Sequence, residues 1–240
     1  MAEATIEQHR QWDEEGYLVI KEAIAGEQLA RLQKAFSYWA AECKSDWIEQ
    51  IERGKESPTW YDIPDVLEKD NVFIDVVDHP SYYPLVKSLL GGEAILSFTP
   101  QLRTVPCWPV SYTGWHPDGE ATDVRRVKMQ LYVDDVPPES GEFAYLPGSH
   151  LKKTNTGYRT GRNEILEGHI TFPGTAGTAI LFDNRGLHTA MDNTTSDPRR
   201  SIIMGFEKAL KDQQPSDQFT GIADKLETSE RRRLFRLEQL

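Results

Sequence analysis

The chain reads as a mainly β domain, a sandwich or barrel, with helices gathered toward its N-terminal end. Three observations predict this class. Apolar residues in the N-terminal part, before Ala94, recur at steps of three or four, as one face of a helix requires. From Ala94 onward they fall into short apolar or alternating runs, and 17 Gly and 14 Pro supply turns between them. Many short strands with turn chemistry between them fit a sandwich or barrel better than βαβ units. At 240 residues one domain is expected, divided into a strand with supporting helices (1–93), the β core (94–209) and a tail (210–240).

The elements follow in chain order. Gly16–Lys21 predicts a short strand. Leu29, Leu32, Phe36, Trp39, Cys43, Trp47 and Ile51 share one face of a single amphipathic helix, with Gly26 and Gly54 as its start and stop signals. A second helix is expected over Tyr82–Leu90, closed by Gly91 and Gly92 as a left-handed cap. Strands are expected within Ala94–Val105, Val127–Val136, Glu142–Leu146, His169–Phe172, Thr178–Phe182 and Arg200–Glu207. Leu210–Leu240 is polar, and Thr228 or Ser229 starts a final helix running to about Gln239. There is no internal repeat and no low-complexity tract.

A net charge of −11 argues against nucleic acid or an anionic membrane as the main partner. Arg125, Arg126 and Lys128 form too short a basic cluster to outweigh it, and Arg231–Arg233 reads as the solvated face of the terminal helix. Cys43 and Cys107 make no disulfide framework, which suits a reducing cytoplasm. The N-terminal sequence carries no apolar signal core, and no stretch approaches a transmembrane length. The sequon at Asn193–Thr195 therefore carries no weight.

The chemistry concentrates between His116 and Arg199. Two imidazoles and one carboxylate form the ligand set of a facial triad, which holds Fe(II) on one face and leaves three positions open. In a strand, residues i and i+2 share a face, so His116 and Asp118 can reach one ion. Pro117 between them has no N–H, which restricts the stretch to an edge or a strand-to-loop exit. A His-x-Asp alone is a weak signal, and His116 by itself would read first as a surface-loop His. What distinguishes them is their company: Gly141–His150, containing Pro147-Gly-Ser-His150, then Pro173-Gly174, the apolar run Thr178–Phe182, His188, Asn193 and Arg199.

In that order of parts the chain resembles the phytanoyl-CoA dioxygenase family of Fe(II)/2-oxoglutarate oxygenases. The match covers about His116–Phe206 in motif detail, and Trp12–Phe36 resembles the family's opening strand and helix. The resemblance implies a double-stranded β-helix (jelly-roll, cupin-like) core with N-terminal helices packed on one sheet. It implies that His116, Asp118 and His188 ligate Fe(II), and that Arg199 holds the distal carboxylate of 2-oxoglutarate through its planar fork. Arg200 points the other way if this is a strand. The family often has a hydroxyl residue two positions after the second His, where this chain has Ala190; Thr189 lies one place away. Gln130 stands where the family often carries an aromatic, and Gln130 or Lys128 is a candidate hydrogen-bond partner of the cosubstrate, with a solvent-facing Lys128 as the equal alternative. His150 and Asn193 read as structural. Asp134, Asp135 and Asp183 read as turn or solvated residues, and His9, His79 and His169 have no motif around them.

The implied reaction consumes 2-oxoglutarate and dioxygen, releases succinate and CO2, and hydroxylates or desaturates a small-to-medium organic substrate. A carboxylate at Asp118 fills the position that related halogenases leave to halide. Trp108, Tyr112, Trp115 and Trp60 are candidates for an aromatic mouth and equally for core filling. The family name does not make acyl-CoA the substrate: the chain lacks an obvious basic patch for a CoA phosphate, and only Arg159 and Arg162, in the loop after the Pro-Gly-Ser-His turn, are candidates to contribute to one. The loop carrying them, polar and with two Gly, is expected to move. The rivals are a binding protein on the same scaffold without catalysis, and a cupin-like metalloenzyme that does not use 2-oxoglutarate. Cupin sites typically use three His and a Glu, and a non-catalytic relative would not need the full set with Arg199. The terminal helix is the candidate element for homo-oligomerisation.

Overall fold

The computed structural model of the chain describes residues 3–106, 114–118, 124–152, 158–161 and 164–239. The first element, unassigned from the sequence, is α1 (Ile6–Glu14). It is set by a capping box in which the Thr5 hydroxyl accepts from Gln8 N at 3.1 Å and the Gln8 side chain accepts from Thr5 N at 2.9 Å. It buries Trp12 and leads into β1 (Tyr17–Ile20).

The single helix expected between Gly26 and Gly54 is two, α2 (Gly26–Glu42) and α3 (Lys44–Glu52). Cys43 leaves helical geometry at ψ −2°, and its N–H still bonds to Trp39 O. The break inserts no residue, so the apolar period runs through it unchanged. Short elements β2 (Tyr61–Asp62), α4 (Val66–Lys69) and α5 (Asn71–Asp75) follow. Then α6 (Tyr83–Leu90) ends as expected at a left-handed Gly91, φ 67°.

The run Ala94–Val105 splits into β3 (Ala94–Leu96) and β4 (Gln101–Val105), both antiparallel to β10 (Arg199–Lys208). Leu96 pairs with Phe206 and Gln101 with Ile203, so four residues stand opposite two. This bulge folds onto Gly205, where a Cβ would overlap the Phe98 ring and meet Ser97 Oγ at 2.7 Å. The remaining strands are β5 (Arg126–Tyr132), β6 (Phe143–Tyr145), β7 (Ile170–Phe172), β8 (Ala179–Asp183) and β9 (His188–Ala190).

They form two sheets, β1-β8-β5-β10-β4-β2 with β3 also on β10, and β7-β6-β9. These are the two layers of a double-stranded β-helix, without closure into a barrel. Strand parity separates two cores. Val127, Met129, Leu131, Leu181, Ile202 and Met204 face the helices, while Tyr132, Ile180 and Phe182 face the second sheet with Phe143 and Tyr145. Lys128, Gln130 and Arg199 share that inner parity, and this is what places them in the cavity between the layers.

The C-terminal helix α7 (Ser229–Leu234) is capped by Thr228 and ends short of Gln239. Its basic residues are not simply solvated. Arg231 binds Asp78 at 2.7 Å and Asp75 at 3.0 Å, and Leu234 and Phe235 are buried in this chain's own core. Among the described residues no helix is long and apolar enough to cross a membrane.

Candidate metal centre

His116 and His188 meet through a two-way backbone bridge, each N–H donating to the other's carbonyl at 3.1 Å. β9 in turn pairs with β6, Tyr145 opposite His188, so the second sheet carries both imidazoles. Asp118 lies at the strand-to-loop exit, its N–H donating to Asn184 O at 2.8 Å. Asn184 also accepts from Arg126 N at 2.8 Å through its side chain, tying this exit to β5 on the first sheet. Ligand atoms of His116, Asp118 and His188 lie within 4.8 Å of one another.

The tautomers suit a metal. His116 Nδ1 lies 2.7 Å from Gly114 O and His188 Nδ1 3.0 Å from Gly186 O. A carbonyl only accepts, so each Nδ1 carries a proton and Nε2 is the nitrogen left for the cavity. Each Nε2 faces Asp118, at 3.8 Å from His116 and 3.1 Å from His188. Burial, then the neighbouring His188, pulls the His116 pKa down to about 4 and keeps the ring neutral. Burial alone would raise the Asp118 pKa, but His188 and the Lys128 ammonium outweigh it and hold the carboxyl well below the usual range. Neutral imidazoles and an ionised carboxylate are the forms that bind a divalent cation.

The cavity between the sheets, about 690 Å³, is lined by all three residues and by Lys128, Gln130, Thr189 and Arg199. Arg199 is 5% exposed, and its Nε and Nη1 have no hydrogen-bond partner among the described residues. Burial lowers its pKa to about 10, so it remains a cation at neutral pH. An unpartnered buried guanidinium in a cavity fits an absent carboxylate. Arg200 points the other way, to Asp134 at 2.5 Å and Ser37 at 2.7 Å.

The other expected residues divide. Lys128 faces the cavity and donates to Asp118. Gln130 lines the cavity and donates to Ser201 Oγ at 2.6 Å. The Thr189 hydroxyl is committed to backbone, accepting from Gly114 N at 3.1 Å and donating to Ala190 O at 3.2 Å. Trp60 lines the cavity, whereas Trp115 is 1% exposed and packs away from it with Ala144 and Leu187, its indole donating to Glu164 O at 2.8 Å. Trp108, Tyr112 and Arg162 lie outside the described residues. His150 stays away from the triad, its Nε2 3.2 Å from Asp13 O, and Asn193 ties down its own loop through Asp197 and Thr195. Asp135 accepts from Ala176 N at 2.8 Å, a turn role as expected. Asp183, read as a turn or solvated residue, is instead fully buried and paired with Arg125 at 2.7 Å and Arg185 at 2.8 Å.

Sequence reasoning missed Phe98, Arg103 and Asn184, which line the cavity, and the glycines that set both tautomers. Those glycines had a visible signal, a Gly two residues before each of the two clustered imidazoles (Gly114 and His116, Gly186 and His188).

The phytanoyl-CoA dioxygenase (PhyH) family pattern matches residues 12–201. The chain is 22% identical over 228 residues to an ectoine dioxygenase of Nocardia farcinica, covering 83% of this chain and 76% of that one. It is 23% identical over 223 residues to an ectoine dioxygenase of Sphingopyxis alaskensis, covering 81% and 73%. Its fold is similar to that of EctD from S. alaskensis with bound Fe (TM-score 0.65, 21% identity, 85% and 77% covered). It is also similar to SnoK, an alpha ketoglutarate dependent carbocyclase from nogalamycin biosynthesis (TM-score 0.64, 17% identity, 86% and 85% covered).

Proposed function

The chain belongs to the phytanoyl-CoA dioxygenase family of Fe(II)/2-oxoglutarate-dependent oxygenases, and we propose that residues 1–240 act as one domain that hydroxylates or desaturates a small-to-medium organic substrate. The enzyme is an Fe(II)/2-oxoglutarate-dependent dioxygenase, with 2-oxoglutarate and O2 as cosubstrates and succinate and CO2 as coproducts. His116 and His188, through Nε2, and Asp118 hold Fe(II), and Arg199 takes the distal carboxylate of 2-oxoglutarate. One observation carries this assignment: two metal-ready imidazoles and an ionised carboxylate share a cavity with a buried Arg whose Nε and Nη1 lack partners among the described residues.

Bound there, Fe(II) would supply the coupling of dioxygen activation to keto-acid decarboxylation, and with it the oxidising equivalent for a substrate C–H bond. The chain's own contribution is orientation. The Gly114 and Gly186 carbonyls fix the ring tautomers, Lys128 holds Asp118 in place and ionised, and Arg199 gives the keto acid one orientation. Phe98, Phe143 and Phe182 wall the cavity with apolar surface, which favours an organic substrate over bulk water.

The test is an anaerobic titration of metal-free protein with Fe(II) and then 2-oxoglutarate, following the weak visible charge-transfer band of the chelate. A saturable band is expected in wild type and none in His188→Ala. Folded protein that binds metal but forms no band would favour the cupin-like or non-catalytic alternative.

A further inference from the structure

We infer that the substrate is an organic anion whose acid group is held by Arg159, an inference that rests on the function proposed above and names the substrate class for that site. Five basic side chains line the cavity among the described residues: Arg103, Arg126, Lys128, Arg159 and Arg199. Three are matched by carboxylates of this chain. Arg103 holds Asp62 through Nε at 2.8 Å and Nη2 at 2.5 Å, Arg126 holds Glu207 at 2.9 Å, and Lys128 holds Asp118. Arg199 is matched by the distal carboxylate of the cosubstrate. No carboxylate among the described residues pairs with Arg159, and Glu142, the buried acid whose field reaches Arg199, does not line the cavity.

The charge balance follows. Taken together, Fe(II), Lys128, Arg159 and Arg199 outweigh 2-oxoglutarate and Asp118 even with the buried Glu142 counted, so the loaded site carries a net positive charge before substrate enters. An anionic substrate removes that charge, and a cationic one adds to it in a partly buried space where like charges repel strongly.

Arg159 also sits next to a backbone anchor, in a loop that the sequence alone expects to move. Its neighbour Thr160 is clamped to Trp115 by two hydrogen bonds, Thr160 N to Trp115 O at 3.1 Å and Trp115 N to Thr160 Oγ1 at 2.9 Å. Trp115 is adjacent to His116, so the position of Arg159 is set relative to the metal ligand. Trp60, which also lines the cavity, lies under the Arg103 guanidinium at 4.8 Å, a planar wall for the substrate's apolar body. Arg159 itself is exposed at the rim, which suits the capture of an acid group as substrate enters.

The test uses protein loaded anaerobically with Fe(II) and 2-oxoglutarate and titrated calorimetrically with hexanoate, hexyl phosphate and neutral hexanamide. Both anions are expected to bind about tenfold more tightly than the amide, as for a charge-assisted hydrogen bond partly screened by solvent. The tighter of the two identifies the acid as a carboxylate or a phosphate. Arg159→Gln should abolish the preference, Arg159→Lys should keep part of it, and neither should change the chelate band. Added salt should shrink the wild-type preference. Equal or absent binding of acid and amide by protein that forms the band, or an undiminished preference in Arg159→Gln, would overturn the inference. Failure to form the band at all would count against the parent assignment instead.

Discussion

Replacing Arg199 with Met should make the metal-free protein more stable and nearly abolish its response to 2-oxoglutarate. The guanidinium is 5% exposed, lacks partners for two of its nitrogens, and is pulled down to a pKa of about 10 by burial. The drop from the ordinary guanidinium value corresponds to about 3 kcal/mol favouring the uncharged form. The sign is that of a base disfavoured on folding. At neutral pH the group is charged both folded and unfolded, so the penalty is present in full, and it is relieved only as pH rises through about 10. Met has a similar volume and no charge, so about 1–3 kcal/mol of that cost should be recovered. In a chain of this size that is a rise in Tm of several degrees, at about 2–4 °C per kcal/mol. In the same variant a keto-acid carboxylate would enter the cavity without a counter-ion, and affinity should fall by about a hundredfold or more. Thermal melts of metal-free and Fe(II)/2-oxoglutarate-loaded protein measure both quantities. A variant that is less stable without metal, yet binds 2-oxoglutarate within twofold of wild type, would refute the reasoning.

Gly186→Ala should weaken metal binding by about 10–100-fold, the range for groups that orient a ligand. A Cβ there would overlap the Tyr145 hydroxyl and displace the carbonyl that accepts from His188 Nδ1; competition against a chromophoric chelator measures it. Asp183→Asn leaves Arg125 and Arg185 facing a neutral amide in a buried site and should cost about 3–5 kcal/mol in chemical denaturation. Burial would raise the Asp183 pKa, but Arg185 and Arg125 hold it below the usual value. Its contribution is therefore complete above about pH 4 and is lost as pH falls through the lowered folded value, so the gap between wild type and variant should close only in acid. Thr5→Ala removes the capping hydroxyl of α1 and should cost about 1 kcal/mol with no effect on the chelate band.

The triad was legible because its chemistry restricts residue type and because Pro117 marks a strand exit. The strands were legible because burial on one face enforces period two. The break at Cys43 was not, since a helix can change direction without shifting its apolar register. Nor was α1, whose stability comes from a local capping box and one buried Trp rather than an apolar stripe. Asp183 was misread because a lone acid after an apolar run looks the same whether it meets water or two arginines, one of them distant. Arg125 lies 58 residues away in sequence, and only the pairing of β5 with β8 brings it near. Trp115 shows the opposite limit: an aromatic beside a ligand His fills core, while Trp60, far upstream, reaches the cavity because β2 pairs with β4.

The two glycines before the imidazoles show why the site needs both sheets. To hold a metal as proposed, each ring must present Nε2, and the simplest way to secure that is to engage Nδ1 with an acceptor that cannot donate. A backbone carbonyl two residues upstream does this if the chain turns sharply between, and glycine permits the turn: Gly114 sits at φ 122°, and Gly186 lies where the Tyr145 hydroxyl excludes any Cβ. The second sheet thus sets the rings without any added side chain. The first sheet supplies the charges that face them, Lys128 on β5 against Asp118 and Arg199 on β10 across the cavity. Strand parity places both charges on the inner face while Arg200, one residue along, points outward to Asp134. A one-residue slip of β10 would exchange Arg199 for Arg200, so the hydrophobic face of Ile202, Met204 and Phe206, which fixes that register, also fixes which arginine faces the cavity.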